Sequence, residues 1–417
     1  MRDATSEPAA TIGKPVAAGV WALDGLPLSL PDHDLAPLSG LVKDAELIGI
    51  GENWHTSGDQ HATRNRLVRY LVEREGIRLV MLETPWLFAT ASTSYVAGQS
   101  ADRAAASHAM FEVFSSTYMA ELLDWLRAWN EGHPTDKVQY FGFDVQESSE
   151  LSGALRKFIE AVDPLRKAEL TDALAQCYCG GFDSLYACSQ TPEAGLTGSN
   201  FPPARDLACR QGLDQLEKEM TLHEGAYAMA SSAVTVARAK LGVRNLRAQQ
   251  KSIISANIAD AFEARDQGMH DSILSLREIH APGKKAVVMA HNGHIAHNQE
   301  AAWLKANGYP RRRAMGALLR TTLGTKYRTV GQVAYETKIN WGAQPDPKPN
   351  TRSDSLERLL HEKQLPYLLL DLHNNEFVKA GASFSFDPQG PIVEFVPSDT
   401  FDALVFLDTS AAMVKAP

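Results

Sequence analysis

The sequence is short of several features that would each mark a protein class. No apolar run reaches the roughly 18 residues needed to cross a bilayer, so no membrane span is expected. There is no basic excess: the formal charge of the 417 residues is -9. A mildly acidic chain grips phosphate backbones and anionic lipid surfaces poorly, so neither nucleic acid nor membrane is expected as a partner. There is no Gly-x-Ser-x-Gly elbow, which argues against a serine nucleophile of the α/β-hydrolase kind. There is no phosphate-binding P-loop, no Gly-x-Gly-x-x-Gly and no His-Glu-x-x-His. The N-terminus lacks the apolar core of a signal peptide, so the chain as read carries no export signal.

Cysteine is scarce too, and oddly placed. The four cysteines, Cys177, Cys179, Cys188 and Cys209, fall in one Gly/Ser/Pro-rich stretch. One or two disulfides in an oxidising compartment would suit such a cluster, and so would free thiols in the cytoplasm; both readings stay open. None of the four ends a predicted strand, which disfavours a thiol nucleophile.

Against these absences stands a series of short apolar runs. Residues 45–51, 77–82, 138–143 and 285–290 each stop abruptly at an ionisable residue: Glu52, Glu83, Asp144 and His291. Further runs occupy 329–335, 366–371 and 403–408. Continuous apolar runs of this length read as strands buried on both faces. Helical patterns lie between them. Ser57-x-x-Gln60 has the form of a capping box, and an amphipathic stretch follows, closed by Gly76. Residues 118–130 present an apolar face, and 240–280 read as one or two long helices. The alternation predicts an α/β fold with a mostly parallel central sheet flanked by helices. Residues 1–20 read as a flexible tail. Residues 21–149 and 246–417 would form the α/β core, and 150–245 a helical insertion, or lid, covering the cleft.

Ligands in open parallel sheets sit beyond the carboxyl ends of the strands. Four strand-end ionisable groups therefore point to acid–base chemistry in one crevice. Gly51-Glu52-Asn53-Trp54-His55 lies on the first such turn. A histidine three residues after a carboxylate suits a general base held in one tautomer, although His55 could instead be a plain turn residue. Arg64 follows within the next helix, where it either reaches back to a carboxylate or is simply solvated. Ala290-His291-Asn292-Gly293-His294 follows a strongly apolar strand. Its two imidazoles could bind a metal or supply an acid and a hydrogen-bond donor. Arg265-Asp266 precedes that strand, and an arginine there could neutralise an oxyanion.

Taken in order, these motifs resemble the erythromycin esterase family. The likeness runs through Gly51-Glu52-x-x-His55, the helix with Arg64, Leu82-Glu83, Phe141-Gly142-Phe143-Asp144-x-Gln146, Arg265-Asp266-x-x-Met269 and Ala290-His291-Asn292-Gly293-His294. It continues through Met315-Gly316 and Gly324-x-x-Tyr327. Asn53-Trp54 stands where small residues would be expected, no Gly-Thr follows His55, and residues 150–245 show no match. The resemblance implies a serine-independent hydrolase opening a macrolide lactone or similar bulky ester with a histidine-activated water, without a metal or other cofactor. His55 would be the base, with Glu52 and Glu83 orienting it or the water. Arg64 and Arg265 would balance charge, and His291 and His294 would meet the reacting carbonyl. Trp54, Asp144, Gln146 and Asn292, on the same turns, are expected to contact substrate. The alternative is a metal-dependent hydrolase built on His291 and His294, or a biosynthetic or binding relative with another ligand.

Overall fold

Strand β3, Leu47–Glu52, is buried along its whole length, and its side chains alternate between two cores. The alternation also holds for β4 (Ile77–Pro85), β5 (Gln139–Asp144) and β6 (Lys285–His291), which are buried except at Arg78, Gln139, Lys285 and His291. Ile48, Ile50, Val80, Leu82, Val287 and Met289 face one core, shared with Leu67, Val68 and Leu71 of the helix Gly58–Arg74. Leu47, Leu79, Met81, Ala286 and Val288 face the other, shared with Met269, Ile273 and Leu276 of the helix Ile258–His280. Period-two alternation with both faces covered explains why these segments read as unbroken apolar runs. The computed structural model describes residues 13–146, 150–177, 202–255, 258–298, 313–387, 389 and 393–417.

The remaining strands are β1 (Pro15–Ala17), β2 (Val20–Ala22), β7 (Tyr327–Thr337), β8 (Tyr367–Asp371), β9 (Phe384–Phe386), β10 (Val393–Phe395) and β11 (Ala403–Ser410). Nine form one sheet in the order β1-β2-β8-β11-β7-β3-β6-β4-β5, while β9 and β10 make a separate hairpin. Pairing is parallel from β11 through β7, β3, β6 and β4 to β5. It is antiparallel among β1, β2, β8 and β11. The fold is therefore α/β with a largely parallel central sheet, as the apolar runs predict, with an antiparallel edge.

Two expected boundaries are corrected. The part of the 1–20 tail that is described is not a free tail, because β1 and β2 pair with each other and Val20 aligns with Leu370 of β8. Three-residue edge strands are too short to show periodicity in a sequence. The limit at 245/246 falls inside the helix Ala233–Ile253, whose buried face runs across it from Val243 to Leu246. These helical residues pack with Leu151, Leu155, Leu213 and Leu216 in a third core. Cys177 and Cys209 are disulfide-bonded within this unit. Cys179 and Cys188 lie outside the described residues.

The helix Gly58–Arg74 starts at Ser57 as the capping pattern predicts, but without its hydrogen bonds. Ser57 Oγ meets Ser410 Oγ at 2.5 Å, and the Gln60 side chain turns back to Asn53. Gly76, with φ of +72°, ends this helix in the left-handed conformation that glycine tolerates best. Past β11, residues 411–416 run as a strap across two loops. Gly58 N–H donates to Ala411 O at 2.8 Å, Met413 N–H to Thr56 O at 2.9 Å and Thr117 N–H to Val414 O at 2.9 Å. Among the described residues no helix is long and apolar enough to cross a membrane.

Candidate active site

The sheet order places β3, β6, β4 and β5 side by side, so their carboxyl ends form one edge. Glu52 and His291 are in register across β3 and β6, and Asp144 is paired with Pro85, just past Glu83. Side-chain alternation then sorts the groups. Glu52 continues the face of Ile48 and Ile50, toward the helix that carries Arg64. Glu83 continues the face of Leu79 and Met81, toward the helix that carries Arg265 and Asp266.

On the first face Glu52 is fully buried and shared between two partners. Its Oε1 lies 3.0 Å from His55 Nδ1, and its Oε2 accepts from Arg64 Nη1. The carboxylate thus fixes the Nδ1–H tautomer of His55 and leaves the Nε2 lone pair available. The His55 side chain is 18% exposed, so it can meet both water and crevice. Its ring packs edge-on to Phe114 at 5.3 Å and sits 5.0 Å from the His291 ring and 6.0 Å from Trp341. Arg64 has no solvent exposure, and its guanidinium lies 5.5 Å from the Phe114 ring centre.

On the second face Arg265 is the hub. Its Nη2 donates to Glu83 Oε1 at 2.7 Å and Asp144 Oδ2 at 2.6 Å, and its Nε donates to Asp144 Oδ1 at 3.1 Å. Burial opposes the charge on Arg265, but Asp144 and Glu83 outweigh it and raise its pKa further. Burial likewise opposes ionisation of Glu83, yet His294 and Arg265 hold its carboxyl well below the usual range. His294 Nδ1 lies 2.5 Å from Asp266 Oδ1. Its Nε2 is 3.3 Å from Glu83 Oε1 and 3.1 Å from Arg265 Nη1. The arginine contact suits only a neutral ring. Against burial, however, the Asp266 and Glu83 carboxylates push His294 up to about 9, so we assign an imidazolium whose Nε2–H donates to Glu83.

His291 joins the two faces. Its backbone N–H donates to Glu83 Oε2 at 2.8 Å. Burial first, then the nearby His55 and His294 charges, push its imidazole down to about 3. The neutral ring accepts from Gly293 N–H at 3.0 Å on Nδ1, which puts its proton on Nε2, 3.3 Å from Asn53 O.

All seven residues expected to carry chemistry, Glu52, His55, Arg64, Glu83, Arg265, His291 and His294, therefore meet at one edge. Two of the expected substrate contacts are committed elsewhere. Asn292 is buried and its amide bonds the main chain of Gln332 at both ends, at 2.7 and 3.3 Å. Asp144 is fully buried; its oxygens take Arg265 and the N–H groups of Val145 and Gln146, at 2.6 and 3.1 Å. Gln146 is thus fixed through its backbone at the end of β5. Trp54 is partly buried, with its indole N–H 3.2 Å from Asp387 Oδ2. Sequence reasoning omitted Asp266 as a site residue, although it adjoins Arg265. It also omitted Phe114, Trp341, Asp387 and Gln389, which come from loops without pattern. Among the described residues no group of three His, Cys, Asp or Glu could hold a metal ion. The ring nitrogens of His291 and His294 already have hydrogen-bond partners.

The fold and this edge define an α/β protein that gathers three carboxylates, two arginines and three imidazoles at the carboxyl ends of adjacent parallel strands. The chain belongs to the erythromycin esterase family, whose sequence model matches residues 72–410. Family membership supports a hydrolase. The chain is 24% identical over 411 residues to a putative hydrolase, YbfO, of Bacillus subtilis, covering 92% of this chain and 88% of that one. It is 21% identical over 324 residues to erythromycin esterase type II of Escherichia coli, covering 74% of each. A solved structure of a mutant erythromycin esterase, EreC, in its open conformation superposes with a TM-score of 0.67 at 19% identity, covering 94% of this chain and 96% of that one. The last likeness concerns the fold.

Proposed function

We propose that this protein hydrolyses a bulky carboxylic ester, with the lactone of a macrolide as the leading substrate class, through water activated by His55. The observation that carries the reading is the Arg64–Glu52–His55 chain, which leaves the imidazole Nε2 as the free base at the crevice. Water attacks the acyl carbon while His55 Nε2 takes its proton. The tetrahedral oxyanion collapses, the acyl C–O bond breaks, and the imidazolium returns the proton to the departing alkoxide. The products are a carboxylic acid and an alcohol, joined in one chain if the substrate was a ring. His294 as imidazolium and Arg265 hold Glu83 ionised, and we assign Glu83 the task of orienting the water. The helices from Glu150 onward would shape the crevice mouth. Acting on a macrolide antibiotic, the reaction would inactivate it and so confer resistance.

Mass spectrometry of reactions with a panel of macrolides and simple lactones tests this reading, because ring opening adds one water to the substrate mass. His55→Ala should lower turnover about 10²–10⁴-fold, the usual worth of a general base, with little change in melting. Turnover equal to wild type in that variant would remove His55 from the chemistry.

A further inference from the structure

The turn that carries His55 is held from a loop more than 330 positions away in sequence. Gln60 Oε1 accepts the backbone N–H groups of Asn53 at 3.1 Å and Trp54 at 3.4 Å. The next N–H, that of His55, donates to Gln389 Oε1 at 3.1 Å. Asp387 binds the same turn at two further points: its Oδ2 accepts the Trp54 indole N–H at 3.2 Å, and its main-chain oxygen accepts from Asn53 Nδ2 at 3.3 Å. Asp387 Oδ1 also accepts Gln389 N–H at 3.0 Å, so one residue sets the other. Asp387 is itself anchored, since its N–H donates at 2.9 Å to buried Glu357, which Ser355 Oγ holds at 2.8 Å.

Gln389 is also one of only three non-glycine residues with positive φ among the described residues, at +66°. Glycine adopts that conformation freely, whereas a side chain there is disfavoured. A long amide kept in an unfavourable backbone conformation points to a need for the amide itself. We infer that Gln389, oriented by Asp387, is a positioning residue for His55. It fixes the backbone of the base so that Nδ1 stays on Glu52 while Nε2 faces the crevice. The inference rests on the reading of His55 as base.

Gln389→Gly separates this role from a structural one, because it removes the acceptor while relieving the backbone. Melting should be unchanged or raised. On an ester the wild type hydrolyses, kcat should fall about tenfold to a hundredfold through misplacement of the base. KM should stay within about twofold, the split expected when only transition-state geometry is lost. Gln389→Glu, which restores an acceptor, should recover most of kcat. Hydrogen exchange gives a second readout that needs no substrate: the His55 amide should exchange at least about tenfold faster in Gln389→Gly than in wild type. Unchanged kcat in Gln389→Gly, or Gln389→Glu as slow as Gln389→Gly, would overturn the inference. If the wild type hydrolyses no ester tested, the hydrolase reading falls on its own. An unchanged His55 amide exchange rate in Gln389→Gly would then still overturn the positioning claim, and a faster rate would support it.

Discussion

The imidazolium at His294 makes a prediction that needs no substrate. Its pKa rises from 6.5 to about 9, with burial working against the rise and the Asp266 and Glu83 carboxylates working for it. A folded pKa above the unfolded one stabilises the native chain fully below pH 6.5, and the contribution disappears as pH climbs to about 9. Across that window the native state holds a proton that the unfolded state has lost. Stability should therefore fall by about 1.4 kcal/mol per pH unit, or about 3 kcal/mol in all. The other strongly displaced histidines, His61, His280, His291 and His297, move downward, so their effects belong to the acid side. Urea unfolding followed by tryptophan fluorescence at pH 6.5 and pH 9 measures the slope. His294→Gln should flatten it. Asp266→Asn should reduce it, because the carboxylate 2.5 Å from Nδ1 is gone. A wild-type stability that is level across the window, or a slope that survives in His294→Gln, would refute the charged assignment.

Two further outcomes follow from burial and chain connectivity. Arg64→Met leaves Glu52 buried without its guanidinium partner and should cost about 3–5 kcal/mol, with Glu52→Gln/Arg64→Met recovering part of the loss; equal urea midpoints for wild type and the single variant would contradict this. Replacing Cys177 and Cys209 together by alanine opens a loop whose ends are 32 positions apart and should cost about 3–4 kcal/mol, read as a lower urea midpoint; a midpoint equal to that of the oxidised wild type would show that the bridge constrains little.

Much of the sheet was legible because buried parallel strands require unbroken apolar runs. Runs ending on Glu52, Glu83, Asp144 and His291 also marked the edge at which these four groups meet. Their neighbour order was not legible: nothing local says that β6 inserts between β3 and β4, although this insertion brings His291 beside Glu52 and Glu83. The strands of three residues escaped because so short a segment carries no period. Asn292 misled because an amide beside two imidazoles looks available to a substrate, and only tertiary contact shows that β7 uses it. Gln60 was read as half of a capping box, whereas its amide serves the turn behind it. Gln389 and Asp387 carried no signal at all, since a single side chain in a loop is defined only by what it reaches.

The strap formed by residues 411–416 has a consequence for how the crevice comes into being. It ties the turn after His55 to the loop that supplies Phe114, yet it follows every crevice residue in chain order. A polypeptide halted before it would own each ionisable group and still lack the clasp between these two loops. A protease nick in those few positions should therefore loosen the turn after His55 against the loop of Phe114 while cutting none of the ionisable residues gathered at the sheet edge.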